Sequence, residues 1–271
     1  MTSKPNHQPL VPHNAKMGQM RYFPGAAGLR ADTRGSTNGL VDKIGRGIVL
    51  GDYAPNMLFP AEQEMLERFG VSRTALREAY SKLTAKGLVH ARPRVGTAVL
   101  PRSDWNMLDQ DVLDWHLQTM NPVDLAKDLY QVRRMIEPSA AEIAAVTRTD
   151  EDMEKIDAAF DAMQANSGDQ GSLIDADFSF HVAILTATKN SFIATFSSLI
   201  RAAMLSTFEL SWRGAEIIKD ERLEQHSDVA EAIRNGNAAT ARRTMQDLLN
   251  MSLKDVEAAT TGPQSTHPSR R

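Results

Sequence analysis

The sequence predicts a mainly α-helical protein with an N-terminal winged helix-turn-helix and a C-terminal all-α antiparallel helical bundle. Two short helical patterns, separated only by Gly70 and Val71, precede two short patterns of strand period joined by a basic turn. Every segment from Val123 onward repeats its apolar side chains at helical spacing, and the short connections favour antiparallel neighbours. The charge of the chain is divided between the same two parts.

Composition separates a basic N-terminal part from an acidic C-terminal part. The 271 residues suffice for two domains, and their net charge of −3 conceals a strong asymmetry. Residues 38–102 carry ten basic and six acidic side chains, whereas residues 103–260 carry 14 and 27. This division is typical of a DNA-binding domain joined to a module of different function.

Two absences from the sequence restrict its function. The chain has no cysteine, which excludes disulfides and thiolate metal sites. It also has no apolar run long enough to span a membrane, and no apolar segment near its start that is typical of a secretory signal. We therefore expect a cytoplasmic protein without a membrane partner.

Breaks in composition and periodicity predict five regions along the chain. We expect a disordered N-terminal extension, a winged helix-turn-helix, a helical linker, an all-α effector-binding and dimerisation domain, and a disordered tail, over residues 1–37, 38–102, 103–122, 123–259 and 260–271. The linker pattern, with its two tryptophans, fits one helix that packs against a neighbouring domain or subunit. Six helices are expected in the bundle, over residues 123–147, 150–165, 171–188, 190–212, 215–235 and 237–258.

The winged helix-turn-helix begins with a bracing helix over Asn38–Leu50. The two helices of the motif follow over Ala61–Phe69 and Ser72–Ala85, and Ser72 is a suitable N-cap for the second of them. Strands are expected over Leu88–Ala91 and Thr97–Leu100, joined by a basic turn. A helix-turn-helix followed by such a hairpin usually binds duplex DNA.

Arginine at the start of the second motif helix indicates which residues contact DNA. Arg73 and Arg77 lie one turn apart where a recognition helix enters the major groove, and arginine reads guanine through two hydrogen bonds. The full expected set comprises Gln63, Ser72, Arg73, Thr74, Arg77, Arg94 and Gly96. The alternative is a solvated helix face on which Arg77 pairs with Glu78 or Glu64.

Three side chains in the bundle have the spacing of a divalent-metal site. Asp177 and His181 are four residues apart on a largely apolar helix, and His226 lies on a later helix. A carboxylate and two imidazoles can hold a metal while leaving positions open for water or a ligand. On spacing alone, a hydrogen bond between Asp177 and His181 inside the core remains the simpler alternative.

The run FPAEQEMLERFGVSRTALREAYSKLTAKGLVHARPRVGTAV resembles the DNA-binding domain of the GntR family of bacterial transcription regulators. The similarity includes the Pro-Ala-Glu entry, the Val-Ser-Arg turn and the Gly-Thr-x-Val wing, in order and without a gap. It implies a homodimer that binds a double-stranded DNA operator. A metal-dependent enzyme and a constitutive DNA-binding protein are the other functions to weigh, and the sequence lacks a nucleophile motif or a phosphate loop.

The bundle resembles the FCD effector domain found in one large GntR subfamily. The similarity rests on LYQVRRMIEPSAAEIAA from Leu129, on Asp177-Phe-Ser-Phe-His181, and on His226 before AIRNGNAATAR. It implies a divalent metal, often zinc, on Asp177, His181 and His226 beside a carboxylate effector. Leu248 stands where a further histidine is usual, which removes one ligand.

Two further bundle residues are expected to contact the effector. Arg133 matches a family arginine that faces the cavity, and Trp212 ends the fourth bundle helix where it could wall that cavity. For Arg133 the alternative is a pair with Glu137 within its own helix, and for Trp212 it is core packing. The linker is similar to that of the galactonate-operon repressors in this subfamily, which implies a sugar-acid effector such as an aldonate and a repressor of a sugar-acid operon.

Overall fold

The computed structural model describes residues 37–92, 94–165, 170–211 and 220–261. The expected disordered N-terminal extension and most of the expected tail lie outside these residues. The described helices are α1 Thr37–Leu50, α2 Glu62–Phe69, α3 Arg73–Ala85, α4 Gln110–Thr119, α5 Pro122–Thr147, α6 Asp150–Ala165, α7 Gln170–Ala187, α8 Ser191–Ala194, α9 Ser197–Ser211, α10 Asp220–Arg234 and α11 Ala238–Thr261, and the strands are β1 Val89–Arg92 and β2 Gly96–Val99. The mainly α architecture is therefore confirmed.

The helix-turn-helix is held by an apolar core between α1, α2 and α3. Ile44 of α1, Met65 of α2 and Leu76 of α3 are completely buried in this core. Gly70 ends α2 in the left-handed conformation with φ of +62°, which most side chains avoid. The tight turn predicted at Gly70 thus fixes the angle at which α3 leaves α2.

The wing is a two-stranded antiparallel hairpin in which Val89 pairs with Val99 and Arg92 pairs with Gly96. Both strands reach one residue closer to the turn than the sequence predicts. Val95 N–H donates to the Arg92 carbonyl at 3.1 Å, and Gly96 has φ of +121°, so the hairpin closes tightly between them. The basic turn therefore stands at the tip of the wing.

The linker is not the single helix over residues 102–121 that its apolar pattern predicts. It consists of a short 3₁₀ helix, Arg102–Asp104, a turn, and then α4. Asp109 stops the continuous helix because its carboxylate caps α4, accepting hydrogen bonds from the backbone N–H groups of Asp111 and Val112. Trp105 is held in the turn by a 3.0 Å hydrogen bond from its indole to the Leu100 carbonyl.

The bundle consists of α5 to α11, and its core is lined mainly by small and aliphatic side chains such as Ala141, Ile156 and Ile233. The helix expected over residues 190–212 is divided into α8 and α9, since Thr195 and Phe196 bond back to α8 in a short turn. The helix expected from residue 215 is described only from Asp220. Within the described ranges, no helix has the length and apolar character needed to cross a bilayer.

Helix α4 packs between the DNA-binding domain and the bundle. Trp115 is buried in the core of the first domain, where its ring lies against Gly45 and its indole donates to Asp42 at 2.9 Å. On the other side of α4, Leu113 packs with residues of α5 and α9, including Leu129 and Ala203. Each face of this short helix therefore contacts a different core.

Candidate functional site

Helix α3 presents its polar residues at its N-terminal end. Ser72 caps the helix by accepting a 3.2 Å hydrogen bond from the Ala75 N–H. Leu76, Ala79 and Leu83 are buried on one side, so Arg73, Thr74 and Arg77 remain exposed on the other. The structure thus brings together Ser72, Arg73, Thr74 and Arg77, as the helical spacing predicts.

Glu62 lies beside both arginines at this surface. Its carboxylate is 3.6 Å from Arg73 Nε and 3.9 Å from Arg77 Nη2, and we call these three residues the reader cluster. Both arginine side chains are mostly exposed, at 71% and 75%. The alternative pairing of Arg77 with Glu78 or Glu64 is not what the structure shows, because the first residue of α2 lies closer.

The remaining expected DNA contacts lie on neighbouring elements. Gln63 is exposed on α2, where its amide donates to Glu67 at 2.8 Å. Arg94 and Gly96 are exposed at the wing, and Arg94 has an unusual φ of +64° at the turn. This conformation is set by the hairpin turn, and it places Arg94 at the exposed tip.

Helices α5, α7 and α10 bring five ionisable side chains together, which we call the bundle cluster: Arg133, Glu137, Asp177, His181 and His226. The four-residue spacings within α5 and within α7 place each pair on one helix face. Except for Asp177, the members are at most 3% exposed. Such burial of charge requires each member to have a partner.

Asp177 and the two histidines converge through their side-chain tips. Asp177 Oδ1 lies 3.0 Å from His226 Nε2 and 3.4 Å from His181 Nε2. One atom from each of the three residues lies within 4.8 Å of the others. Among the described residues this is a possible Asp/His/His metal site, with the composition that the sequence predicts.

Glu137 lies between two other members of the bundle cluster, Arg133 and His181. Its Oε1 is 2.5 Å from Arg133 Nε, and its Oε2 is 2.5 Å from His181 Nδ1. The second contact is close but not aligned as a hydrogen bond. Arg133 also places Nη2 3.3 Å from His181 Nε2.

These contacts oppose the effect of burial on the ionisation of the cluster. Burial alone would raise the pKa of Asp177, but the two adjacent histidines, His181 and His226, hold it well below its usual range. Burial would likewise raise the pKa of Glu137, yet the charges of Arg133 and His181 lower it to about 2. Both carboxylates are therefore ionised at neutral pH.

Each histidine ring is also fixed from its far side. His226 Nδ1 lies 2.7 Å from the Arg222 carbonyl, an acceptor, so this nitrogen carries the proton of the neutral ring. The edge of Phe180 packs against both rings, with centroid distances of 5.1 Å to His226 and 5.8 Å to His181. The rings are consequently positioned before any ligand arrives.

A small cavity opens beside the bundle cluster, with a free volume of about 20 Å³. Its polar lining includes members of the bundle cluster together with residues of α5, α9, α10 and α11, namely Tyr130, Thr207, Arg222 and Ser252. Leu248 is buried in the apolar core and is not part of this lining. Trp212 lies outside the described residues.

Sequence reasoning missed several of these residues. Helical spacing indicates Glu137 only as a partner for Arg133, although its other oxygen reaches His181. Arg222 precedes His226 by four residues, and this helical spacing could have indicated that both approach the cavity. Arg133 does pair with Glu137, as the alternative proposed, and it also lines the cavity.

Comparison with known proteins agrees with this architecture. Residues 37–99 match the bacterial regulatory proteins of the gntR family, and residues 128–251 match the FCD domain. The galactonate operon transcriptional repressor of Escherichia coli is 32% identical over 84% of this chain and 100% of that protein. The uncharacterised regulator YieP of the same organism is 34% identical over 78% of this chain and 90% of that protein.

A solved structure shows the same fold. Lar, which controls the expression of the Listeria monocytogenes agr system, matches with a TM-score of 0.50 at 21% identity, over 80% of this chain and 96% of that one. A gntR-type DNA-binding domain followed by an FCD domain defines a class of transcriptional regulators. The chain belongs to the GntR family of bacterial transcriptional regulators, with an FCD domain, and it is not an enzyme.

Proposed function

We propose that this regulator represses a sugar-acid operon and that a small carboxylate, such as an aldonate, binds in the bundle and changes its affinity for DNA. The observation that carries the proposal is the buried bundle cluster, in which a cationic Arg133 borders a cavity beside Asp177, His181 and His226. The similarity to the galactonate operon repressor supports a sugar acid as the effector.

The donor set of the bundle cluster fits a divalent metal. His226 carries its proton on Nδ1 toward Arg222, so the lone pair of Nε2 faces the carboxylate of Asp177 at 3.0 Å. Two acceptors at this distance repel unless a proton or a cation lies between them. Two imidazole nitrogens and a carboxylate oxygen suit zinc, which we propose as the metal, and they leave coordination positions open.

Arg133 is the group we propose for holding the effector carboxylate. Its Nε and Nη2 are bonded to Glu137, and Nη2 also lies 3.3 Å from His181 Nε2 beside the cavity. A guanidinium with free N–H groups binds a carboxylate with two parallel hydrogen bonds. The metal would supply a second positive centre, which offsets the charge that the effector adds beside Asp177 and Glu137. Trp212 remains a proposed wall of the cavity.

Effector binding must move the walls of the cavity. The free volume of about 20 Å³ accommodates about one water molecule and not a sugar acid. Helix α9 lines the cavity through Met204 and Thr207, and it packs on α4 through Ala203 and Leu113. Since α4 also enters the core of the DNA-binding domain, we propose that a displaced α9 shifts the position of that domain.

We further propose that two copies bind a pseudo-palindromic operator in double-stranded DNA. Each copy would place α3 in the major groove, with Arg73 and Arg77 on base edges and Ser72 and Thr74 on the backbone. Gln63 would reach a base from α2, and Arg94 and Gly96 would approach the minor groove from the wing. The exposure of these residues on one domain supports this arrangement.

A titration of the purified protein tests the proposal. Operator-length DNA from upstream of the gene is bound in a fluorescence anisotropy assay at modest salt, and galactonate or another aldonate is then added. We expect tight binding that the acid releases, and a raised midpoint of thermal unfolding with the acid that a chelator reduces. Galactose, which lacks the carboxylate, is the matched control and should have no effect.

Two results would contradict different parts of the proposal. Absence of binding to the upstream DNA would remove the regulatory role at that operon. Binding that no member of a broad acid panel changes, in either anisotropy or thermal unfolding, would indicate a constitutive DNA-binding protein instead.

A further inference from the structure

Glu137 is the one described carboxylate that contacts both an arginine and a histidine of the bundle cluster. Its Oε1 lies 2.5 Å from Arg133 Nε, and its Oε2 lies 2.5 Å from His181 Nδ1 and also accepts a 3.5 Å hydrogen bond from Arg133 Nη2. All three side chains are at most 3% exposed. The carboxylate therefore influences two buried neighbours at once.

The position of Glu137 determines which nitrogen of His181 carries the proton. Among the described residues, His181 Nδ1 has no aligned hydrogen-bond partner, and the nearest polar atom is the carboxylate oxygen of Glu137. An unprotonated Nδ1 would place its partial negative charge 2.5 Å from that negative oxygen, so Nδ1 carries the proton. The lone pair of the neutral ring is then on Nε2, which lies 3.4 Å from Asp177.

We propose that Glu137 is a positioning residue that selects the metal-binding tautomer of His181 and, through its other oxygen, orients the effector-binding Arg133. The inference rests on the metal and the effector of the proposed function. It adds that the two sites share one buried carboxylate. Any movement of Arg133 toward an effector therefore acts on His181 through Glu137, and effector and metal binding influence each other reciprocally.

The substitution Glu137→Gln tests this inference because an amide cannot satisfy both partners in the same way. Arg133 Nε–H is always a donor, so it retains the amide oxygen of the new side chain. The amide NH₂ then faces His181 Nδ1, which must accept a hydrogen bond. His181 consequently shifts its proton to Nε2. That nitrogen then has no lone pair with which to bind a metal beside Asp177 and His226.

The experiment uses the full-length protein and two readouts. Nitrogen-15 NMR of the histidine rings, with His181→Gln to assign the signal, reports the tautomer in metal-free wild type and in Glu137→Gln. Titration with Co²⁺ or Zn²⁺ alone reports the metal dissociation constant. Glu142→Gln is the matched control, since Glu142 lies on the same helix and pairs with Arg242 at the surface at 2.6 Å.

We expect the Nδ1–H form of His181 in wild type, the Nε2–H form in Glu137→Gln, and metal affinity weaker by about 10- to 100-fold in that variant. Glu142→Gln should match wild type in both readouts. An Nε2–H form in the wild type, or a Glu137→Gln affinity within about twofold of wild type, would overturn the inference.

The two readouts separate this inference from the proposed function. The wild-type tautomer is measured without metal, so it tests the role of Glu137 even if Glu137→Gln does not fold. A wild-type protein that binds neither metal would contradict the proposed metal, whereas the Nε2–H form of His181 in the metal-free wild type would contradict only the role of Glu137.

Discussion

Arg73 and Arg77 on the DNA-binding domain and Arg133 in the bundle all face a glutamate, but their access to water is very different. The reader arginines are 71% and 75% exposed and lie 3.6 and 3.9 Å from Glu62. Arg133 is 3% exposed and lies 2.5 Å from Glu137. The same two residue types therefore form a loose surface pair in one domain and a fixed buried pair in the other.

This difference suits the partners that we propose for the two clusters. An exposed ion pair contributes about 0–1 kcal/mol, so Arg73 and Arg77 can leave Glu62 for DNA at little cost. A buried pair is costly to break, because removing one partner leaves an uncompensated charge away from water. The reader cluster can thus exchange partners easily, whereas the bundle cluster holds its geometry.

The largest effect is expected from removing the buried arginine. In Arg133→Met the carboxylate of Glu137 stays buried without its main partner, and the free energy of unfolding should fall by about 3–5 kcal/mol. Urea unfolding followed by circular dichroism measures this loss. Arg134→Met changes the exposed neighbour on α5 and should stay within about 0.5 kcal/mol of wild type. Equal stabilities of the two variants would refute the contrast between the clusters.

Metal removal should cause the next largest loss of stability, and this loss should depend only on residues of the bundle. If Zn²⁺ binds the folded bundle cluster, the protein gains about 2.7 kcal/mol when free metal is one hundred times the dissociation constant. Calorimetric unfolding with Zn²⁺ or with a chelator measures the difference. His226→Gln should abolish it, and His90→Gln on the wing should preserve it. A midpoint that does not respond to Zn²⁺ in the wild type would argue against a metal.

The reader arginines should affect DNA binding without affecting stability. Arg73→Ala and Arg77→Ala should each cost about 1–3 kcal/mol of operator affinity and relax base preference, because each removes a bidentate base contact. Anisotropy with the operator and with single-base variants measures both quantities. Lys82→Ala, further along α3 and paired with Glu78 at 3.3 Å, is the control. Operator affinity unchanged in both arginine variants would mean that other residues read the bases.

Local features of the fold were accessible from the sequence, because they depend on neighbours in the chain. The turn at Gly70 and the cap at Ser72 follow from conformational preference and side-chain chemistry at those positions. Asp109 is also a residue type that commonly caps a helix. The apolar stripe continues across it, however, and therefore predicts a single linker helix. Periodicity detects a buried face and is insensitive to a short break within it.

Contacts between distant elements were less accessible. Asp177 and His181 lie together because they are four residues apart, and spacing alone indicates this. The contact of Glu137 with His181 depends on how α5 packs on α7, across 44 positions of sequence. The approach of Glu62 to Arg73 likewise depends on the angle between α2 and α3. Neither angle can be derived from the pattern of a single helix.

The smallest effect on stability, and the finest test of the comparison, is expected from Glu62→Gln. The carboxylate is 44% exposed, so its loss should change the free energy of unfolding by less than about 0.5 kcal/mol. For DNA, however, it removes a negative charge beside Arg73 and Arg77. Both arginines are then freer to contact any phosphate, and we expect affinity for non-specific DNA to rise more than affinity for the operator.

Anisotropy with operator and scrambled duplexes over a range of salt concentrations measures this change in selectivity. Glu78→Gln removes the same charge from α3 at a carboxylate that pairs with Lys82 rather than with a reader arginine. It should raise both affinities by a similar factor, because it alters only the overall field of the domain. If Glu62→Gln behaves in the same way, Glu62 contributes charge alone. If selectivity falls only in Glu62→Gln, the exposed pair directs the arginines toward bases, just as the buried pair directs Arg133 toward its cavity.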